Sequence, residues 1–154
     1  MADSIQSRLA ELGIELPTPS TPSANYMPYV RTGSLLFISG QIPMGPNGLE
    51  HVGKLGADYD VEKGQAAAKL CAINVLAQAK AGMGDLEAIA RLVKVVGFVN
   101  STPDFTEQPK VINGASDFFV EAMGDRGRHS RSAVGVAALP FGVAVEVEAI
   151  FEIA

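Results

Sequence analysis

The chain has 154 residues, a formal net charge of −5, two histidines and one cysteine. This length fits a single domain with a sizeable core, and the acidic balance argues against nucleic acid as the main partner. One cysteine excludes an internal disulfide, and two histidines argue against a multi-histidine metal site. Hydrophobic residues make up 47% of the chain, which is more than a monomer of this size requires and indicates a buried interface between subunits.

The N-terminal segment predicts a short amphipathic helix followed by an extended connector. Asp3 or Ser4 can cap the helix, and residues 16–22 are rich in Pro, Ser and Thr, which favour an extended chain. The predicted organisation is therefore an N-terminal helix and arm over residues 1–24, followed by one domain over residues 25–154.

The hydrophobic pattern does not predict a membrane protein. The N-terminus lacks the uncharged h-region of a signal peptide. An uncharged run over residues 132–145 is too short to span a bilayer and is interrupted by Pro140. We therefore expect a cytoplasmic protein with no membrane partner.

The middle of the chain alternates between the periodicities of strands and helices. A hairpin of two strands around Gly33 precedes an alanine-rich helix, a strand that is apolar on both faces and a second long helix. In the apolar strand, alternation places Val93 with Val95 on one face and Leu92 with Lys94 on the other. The predicted spans are 27–32, 35–39, 61–81, 89–99 and 105–123.

The C-terminal stretch combines a basic cluster with two further strand patterns. Val145, Val147, Ala149, Phe151 and Ile153 alternate with charged residues, so one face of the last strand is buried. If the two strands pair as a hairpin, Glu146 or Glu148 could approach Arg131. That arrangement is either a plain ion pair or the two ends of a binding site for a small acid.

This order of elements predicts the α+β class. One antiparallel-rich sheet with two long helices on a single face accommodates all the predicted segments. The other face of the sheet would be uncovered, and its mixture of apolar side chains and lone charges indicates that it packs against copies of the same chain.

Three residues outside the C-terminal stretch have both a structural and a functional interpretation. Cys71 is interpreted as a small core residue, because nothing nearby in sequence would lower its pKa. His51 lies in a glycine-rich segment and is interpreted as a solvated loop residue. Gly40, at the end of a predicted strand, marks either an ordinary turn or a close approach of backbone or ligand.

With these residues in view, the chain resembles the reactive-intermediate deaminase family, also known as the YjgF or L-PSP endoribonuclease family. The resemblance extends from about Tyr29 to the C-terminus. It is strongest in Ser39-Gly40-Gln41-Ile42-Pro43, in Lys94 to Val99 with Phe105, and in Arg131-Ser132-Ala133 through Leu139-Pro140 to Glu146-Val147-Glu148-Ala149.

The resemblance implies a chorismate-mutase-like fold, a homotrimer with sites between subunits, and hydrolysis of 2-imino acids and enamines to 2-keto acids and ammonia without a cofactor or metal. Arg131 would hold the substrate carboxylate, Glu146 would orient or activate water, and Tyr29 would close the pocket. The remaining residues implied to contact the substrate are Ser39, Gly40, Phe98 and Ala133.

The sequence departs from the family pattern at two positions beside the arginine. His129 replaces a common proline, and Ala133 replaces a common cysteine. In an extended segment His129 would share a face with Arg131, so it is either an ordinary loop histidine or a neutral substrate-selecting residue at the pocket mouth. Because extra residues separate Phe119 from Arg131, no side chain of the preceding helix is assigned to the site.

Three functions therefore remain at this point. The first is an imine or enamine deaminase, and the second is a non-catalytic trimer that binds small carboxylates. The third is a ribonuclease, which the acidic charge and the lack of an aromatic-basic stripe place last.

Overall fold

Three α-helices and seven β-strands form within the described part of the chain. The structure is a computed structural model and describes residues 4–19, 21–22 and 24–154. The helices are α1 (Ile5–Glu11), α2 (Val61–Met83) and α3 (Gln108–Met123). The strands are β1 (Tyr29–Thr32), β2 (Leu35–Gln41), β3 (Met44–Gly45), β4 (Gly48–Leu49), β5 (Ile89–Asn100), β6 (Ser130–Val136) and β7 (Val145–Ile153).

Five of these strands form one sheet in the order β1-β2-β7-β5-β6, while β3 and β4 pair separately. All neighbours in the large sheet are antiparallel except β5 and β6, which are parallel. The predicted α+β class with an antiparallel-rich sheet is therefore confirmed, as is the hairpin of β1 and β2 around Gly33.

The expectation that β6 and β7 pair as a hairpin is wrong. Strand β5 lies between them and pairs with β7 on one edge and β6 on the other. At 12 residues β5 is the longest strand, and it is apolar on both faces. A position between two other strands satisfies the backbone groups of β5 on both sides, which a position at the edge of the sheet could not do.

One face of the sheet carries the core. The alternating residues Val145, Val147, Ala149, Phe151 and Ile153 are all buried, as predicted, and they pack in one hydrophobic cluster with the inner faces of α2 and α3. Cys71 lies on the buried side of α2, also as predicted. The opposite face of the sheet, here called the open face, has no helix on it among the described residues.

Strand β5 does not follow the simple alternation that the sequence predicts. Its pairing with β7 shifts register between Ile89 and Arg91 and again between Leu92 and Lys94. Because each irregularity inserts an unmatched residue, Leu92 joins Val95 on the buried face instead of lying opposite to it. The predicted partition of side chains is therefore wrong at this end of the strand and correct from Val95 onward.

The N-terminal helix α1 contributes to the core. Its N-cap is Ser4, whose hydroxyl accepts a hydrogen bond from the Ser7 amide at 3.0 Å; the alternative cap, Asp3, lies outside the described residues. Ile5 and Leu9 are fully buried, and α1 packs against α3.

The predicted boundary near residue 24, between the N-terminal arm and the domain, stays a prediction. None of the described helices combines the length and apolarity needed to cross a membrane.

The two long helices approach each other closely where α3 has a glycine. A Cβ built on Gly114 would lie 2.8 Å from the carbonyl carbon of Gln65 on α2, so the backbones could not keep their spacing. A Cβ on Gly64 would instead meet side-chain atoms of Val111 and Leu55 at 3.1–3.3 Å. Side chains can adjust by such amounts, whereas a helix backbone cannot.

We expect Gly114→Ala to lower the free energy of unfolding by about 1–3 kcal/mol or more, because overpacking here separates two helices. Gly64→Ala is the matched control. Both substitutions gain about 1 kcal/mol of helix propensity, but the new methyl group at position 64 meets only side chains, which can move. Urea unfolding of both variants measures the difference. Equal losses in the two variants would contradict the close backbone contact.

Candidate functional site

Glu146 lies on the open face near the start of β7. Its cross-strand partner on β5 is Phe98, and its carboxylate occupies the space where a side chain at Gly40 on β2 would be, since a Cβ there would collide with it. The absence of a side chain at position 40 therefore gives the carboxylate its room. Of the two interpretations of Gly40, the close approach is the one that the structure supports.

Burial raises the pKa of the Glu146 carboxyl, and the neighbouring negative charge of Glu148 raises it further. A carboxylate with a raised pKa is a better proton acceptor than an ordinary one, and it can return the proton at neutral pH. The electrostatic environment of Glu146 is therefore suited to general base chemistry.

Arg131 lies on the opposite face of the sheet. In the parallel pairing of β5 and β6 it is level with Val95, which faces the helices. One terminal nitrogen, Nη1, donates to Asn113 Oδ1 at 2.9 Å and to Ser116 Oγ at 3.1 Å; the other, Nη2, is 3.5 Å from the carbonyl oxygen of Pro109. All three acceptors belong to α3, so the helix holds the guanidinium.

The partners of Arg131 differ in kind from those of its arginine neighbours. Arg126 is paired with Glu87 at 3.0 Å, and Arg128 with Asp125 at 3.3 Å. Arg131 has only neutral acceptors, and no carboxylate lies within ion-pair distance of it among residues 4–19, 21–22 and 24–154. The alternative of a plain ion pair between Arg131 and either Glu146 or Glu148 within one chain is therefore wrong.

The hydrogen bonds of Arg131 leave one edge of the guanidinium available. Nη1 donates to Asn113 and Ser116, and Nη2, which has two hydrogens, has one acceptor at 3.5 Å in Pro109, while Nε has no acceptor within the described part of the chain. Nε–H and the adjacent Nη2–H form the edge that binds a carboxylate with two parallel hydrogen bonds. Ala133 lies two residues along the same face of β6, and β6 is an edge strand, so one side of its backbone is unpaired within the chain.

His129 packs against α3, and its predicted place at a pocket mouth between copies stays a prediction. It is half-buried against α3, with its ring edge to face with Phe119 at a centroid distance of 6.0 Å. Nδ1 is 2.6 Å from the carbonyl oxygen of Gly127, and Nε2 is 2.9 Å from Ser116 Oγ. Burial lowers the pKa of His129, with a smaller contribution from Arg131, so the predicted neutral state is supported, although burial is the main cause.

Tyr29 lies apart from Glu146 and Arg131, whereas Ser39 directly precedes Gly40 on β2. Tyr29 is on β1, at the sheet edge opposite to β6, where its hydroxyl donates to the Ala81 carbonyl at 3.4 Å and its ring covers Gly82. The Ser39 hydroxyl donates to the Met27 carbonyl at 2.7 Å and so ties β2 to the segment before β1. Their roles at the site stay predictions.

One chain therefore contains separate parts of the predicted site. One group on the open face consists of Glu146, Gly40 and Phe98. A second group beside α3 consists of Arg131, Ala133 and His129, and Tyr29 is at the far edge of the sheet.

Sequence reasoning missed Asn113 and Ser116. Their polar side chains, three residues apart on one face of α3, were the signal that could have found them. Among the described residues, no three potential metal ligands of the His, Cys, Asp or Glu type come together.

The fold and the position of these residues define a sheet-and-helix protein of the chorismate-mutase-like class. The chain matches the family described as "YjgF/chorismate mutase-like, putative endoribonuclease" over residues 6–152. It belongs to this family, and the resemblance seen in the sequence is confirmed.

The chain is also similar to individual proteins over most of its length. The protein TCP17 of Trypanosoma cruzi is 49% identical over 150 residues, which cover 97% of this chain and 94% of that protein. The crystal structure of Atu1372 from Agrobacterium tumefaciens, a protein of unknown function, has a TM-score of 0.91 at 49% identity and covers 99% of this chain and 96% of that one. E. coli TdcF, solved with bound serine, has a TM-score of 0.64 at 29% identity, with coverage of 89% and 94%.

The raised pKa of Glu146 predicts an effect on stability. The folded protein binds this proton more tightly than the unfolded chain, so stability is lost as the pH rises above the ordinary value of 4.5. We expect Glu146→Gln to unfold at a higher temperature than the wild type at pH values well above 4.5, because ionisation of the partly buried carboxyl destabilises the folded wild type. The difference should shrink as the pH falls below 4.5.

Thermal unfolding across this pH range measures the effect. Glu11→Gln, at an exposed position on α1, controls for the loss of one negative charge. A stabilisation that is the same at low and neutral pH would show that ionisation of Glu146 is not its cause.

Proposed function

We propose that the protein is a hydrolase that converts 2-imino acids and their enamine tautomers to 2-keto acids and ammonia without a cofactor. The observation that carries this proposal is the environment of Arg131. Its guanidinium is held by three neutral acceptors and has no acidic partner among the described residues. A cation kept in one orientation without a counter-charge is a binding site for a small carboxylate.

The active site would be completed by a second copy of the chain. Arg131 and Glu146 face opposite sides of the sheet, and β1 and β6 are its two edges. A head-to-tail contact places the β6 edge of one copy beside the open face and β1 edge of the next, and such contacts close into a ring. Exposed apolar residues on the open face, Val30, Phe37 and Val134, support this contact. The proposed assembly is a homotrimer.

In this site the carboxylate of the substrate binds to the Nε and Nη2 edge of Arg131, and the imine carbon faces Glu146 of the next copy. Glu146 accepts a proton from water as the water oxygen bonds to the imine carbon. Starting from the protonated imine, this addition gives a carbinolamine, and Glu146 returns its proton to the nitrogen. The carbon–nitrogen bond then breaks and ammonia leaves, while the hydroxyl oxygen releases its proton and forms the carbonyl of the 2-keto acid. One water is consumed, and no electrons are transferred.

The alternative function is a trimer that binds small carboxylates without turnover. The serine bound to TdcF favours a site for amino-acid-like carboxylates and is compatible with both functions. The family description includes the word endoribonuclease. A ribonuclease nevertheless ranks below the other two functions, because the chain is acidic with a net charge of −5. A cytoplasmic location stays a prediction.

The direct test is turnover of 2-iminopropanoate generated in situ from an amino acid. The wild-type protein should release keto acid faster than the spontaneous reaction, and Arg131→Ala should not. Arg131→Lys should lose about 10–100-fold in kcat/KM, because a point charge cannot form the two parallel hydrogen bonds.

The control is Arg128→Lys, the same substitution at an exposed arginine paired with Asp125, and it should have wild-type kinetics. Near-normal kinetics in Arg131→Lys would show that the carboxylate binds elsewhere. Binding of 2-keto acids without any turnover would favour the alternative function.

Mixing two inactive variants tests whether the site lies between copies. Arg131→Ala and Glu146→Gln should each be inactive alone. After joint unfolding and refolding in equal amounts, about one site in four should combine an intact Arg131 with an intact Glu146 from the next copy. We therefore expect activity near a quarter of the wild-type value.

Each variant refolded alone is the control, and light scattering must show that all samples are trimers. Absence of activity in the mixed trimers, with both single variants folded, would contradict a site shared by two copies. A stable monomer would exclude the shared site altogether.

A further inference from the structure

Arg131 is linked to His129 through a hydroxyl that lies between them. The Ser116 hydroxyl is 3.1 Å from Arg131 Nη1 and 2.9 Å from His129 Nε2. Since a guanidinium can only donate, Ser116 Oγ must accept from Arg131. The hydroxyl hydrogen of Ser116 is then free to be directed to the imidazole.

The other ring nitrogen determines the direction of this link. His129 Nδ1 is 2.6 Å from the carbonyl oxygen of Gly127, and a carbonyl can only accept, so Nδ1 carries the hydrogen. In the neutral ring Nε2 is then an acceptor for Ser116. Burial lowers the pKa of His129 and so favours the neutral ring. The donors run in one direction, from Arg131 to Ser116, from Ser116 to His129 and from His129 to Gly127.

The end of this chain of hydrogen bonds is rigid. Gly127 is buried, and a Cβ there would lie 2.7 Å from the carbonyl carbon of Phe119, so this segment is pressed against the last part of α3. The His129 ring is also fixed edge to face against Phe119. The imidazole therefore cannot turn away from Ser116 without breaking packed contacts.

This arrangement restricts rotation of the guanidinium. Asn113 and Ser116 hold Nη1 toward α3, and the Pro109 carbonyl is 3.5 Å from Nη2, so the Nε and Nη2 edge keeps one orientation. Preorganising a charged group in this way lowers the entropy that ligand binding must overcome. A proline at position 129, as in the common family pattern, could not supply the acceptor for Ser116.

We propose that Ser116 and His129 are positioning residues that hold the guanidinium of Arg131 in the orientation that binds the substrate carboxylate. The proposal rests on the carboxylate site described under the proposed function. Neither residue contacts the substrate. His129 acts through Ser116, and Ser116 acts through Arg131.

The test compares binding of pyruvate by calorimetry in four variants with the wild type. Ser116→Ala should weaken binding about tenfold, since it removes a hydrogen bond to a charged group. His129→Leu should weaken it less, and His129→Gln, which keeps an acceptor, should recover most of the loss. The double variant Ser116→Ala/His129→Leu should bind no more weakly than Ser116→Ala alone, because the histidine acts only through the serine.

Ser132→Ala is the matched control. It removes a hydroxyl from the residue next to Arg131, but Ser132 is paired with Val96 and exposed on the open face, so binding should be unchanged. Losses that add up in the double variant, or wild-type binding in Ser116→Ala, would overturn the proposal.

A second measurement separates this proposal from the proposed function. In the wild type, nuclear magnetic resonance should show slow rotation of the Arg131 guanidinium, with its signals assigned by their absence in Arg131→Lys. In Ser116→Ala the rotation should become fast, and in Ser132→Ala it should not. If the wild type binds no carboxylate, the proposed function fails, and the rotation rate still tests whether Ser116 and His129 hold the guanidinium. Fast rotation in the wild type would overturn that positioning role.

Discussion

The position of β5 between β6 and β7 decides how the charged side chains of the C-terminal stretch are distributed. Because β5 separates the two strands, Arg131 is level with Val95 on the helix side, whereas Glu146 is level with Phe98 on the open face. The two charges cannot neutralise each other within one chain. An attraction that a hairpin would have satisfied internally is thus left unsatisfied between these two residues within one chain.

The electrostatics of the three arginines near β6 follow from the same geometry. Arg126 and Arg128 reach carboxylates at the surface, and such exposed pairs contribute little to stability, about 0–1 kcal/mol. Arg131 is directed along α3, where the available groups are an amide, a hydroxyl and a carbonyl. These dipoles orient the guanidinium but leave its net charge uncompensated, and that charge is what a carboxylate requires.

The environment of Glu146 is unfavourable for stability. Its space is created by a missing side chain at Gly40, and its partial burial disfavours ionisation. Both features lower stability, because a glycine in a strand contributes no packing and a desolvated charge is unfavourable. A purely structural role does not explain these two destabilising features, whereas proton exchange with a substrate, as proposed above, requires a carboxyl with a raised pKa.

Local patterns in the sequence determined much of this protein. The alternation in β7, the hairpin around Gly33 and the two long helices follow from local sequence patterns, which depend only on neighbours along the chain. The family resemblance also identified Arg131, Gly40 and Glu146. The tertiary structure alone decided the strand order, the shift that turned Leu92 toward the core, and the contacts of Arg131 with Asn113 and Ser116. These contacts join residues that are 15 and 18 positions apart on different elements, and periodicity within an element contains no information about which element packs beside it.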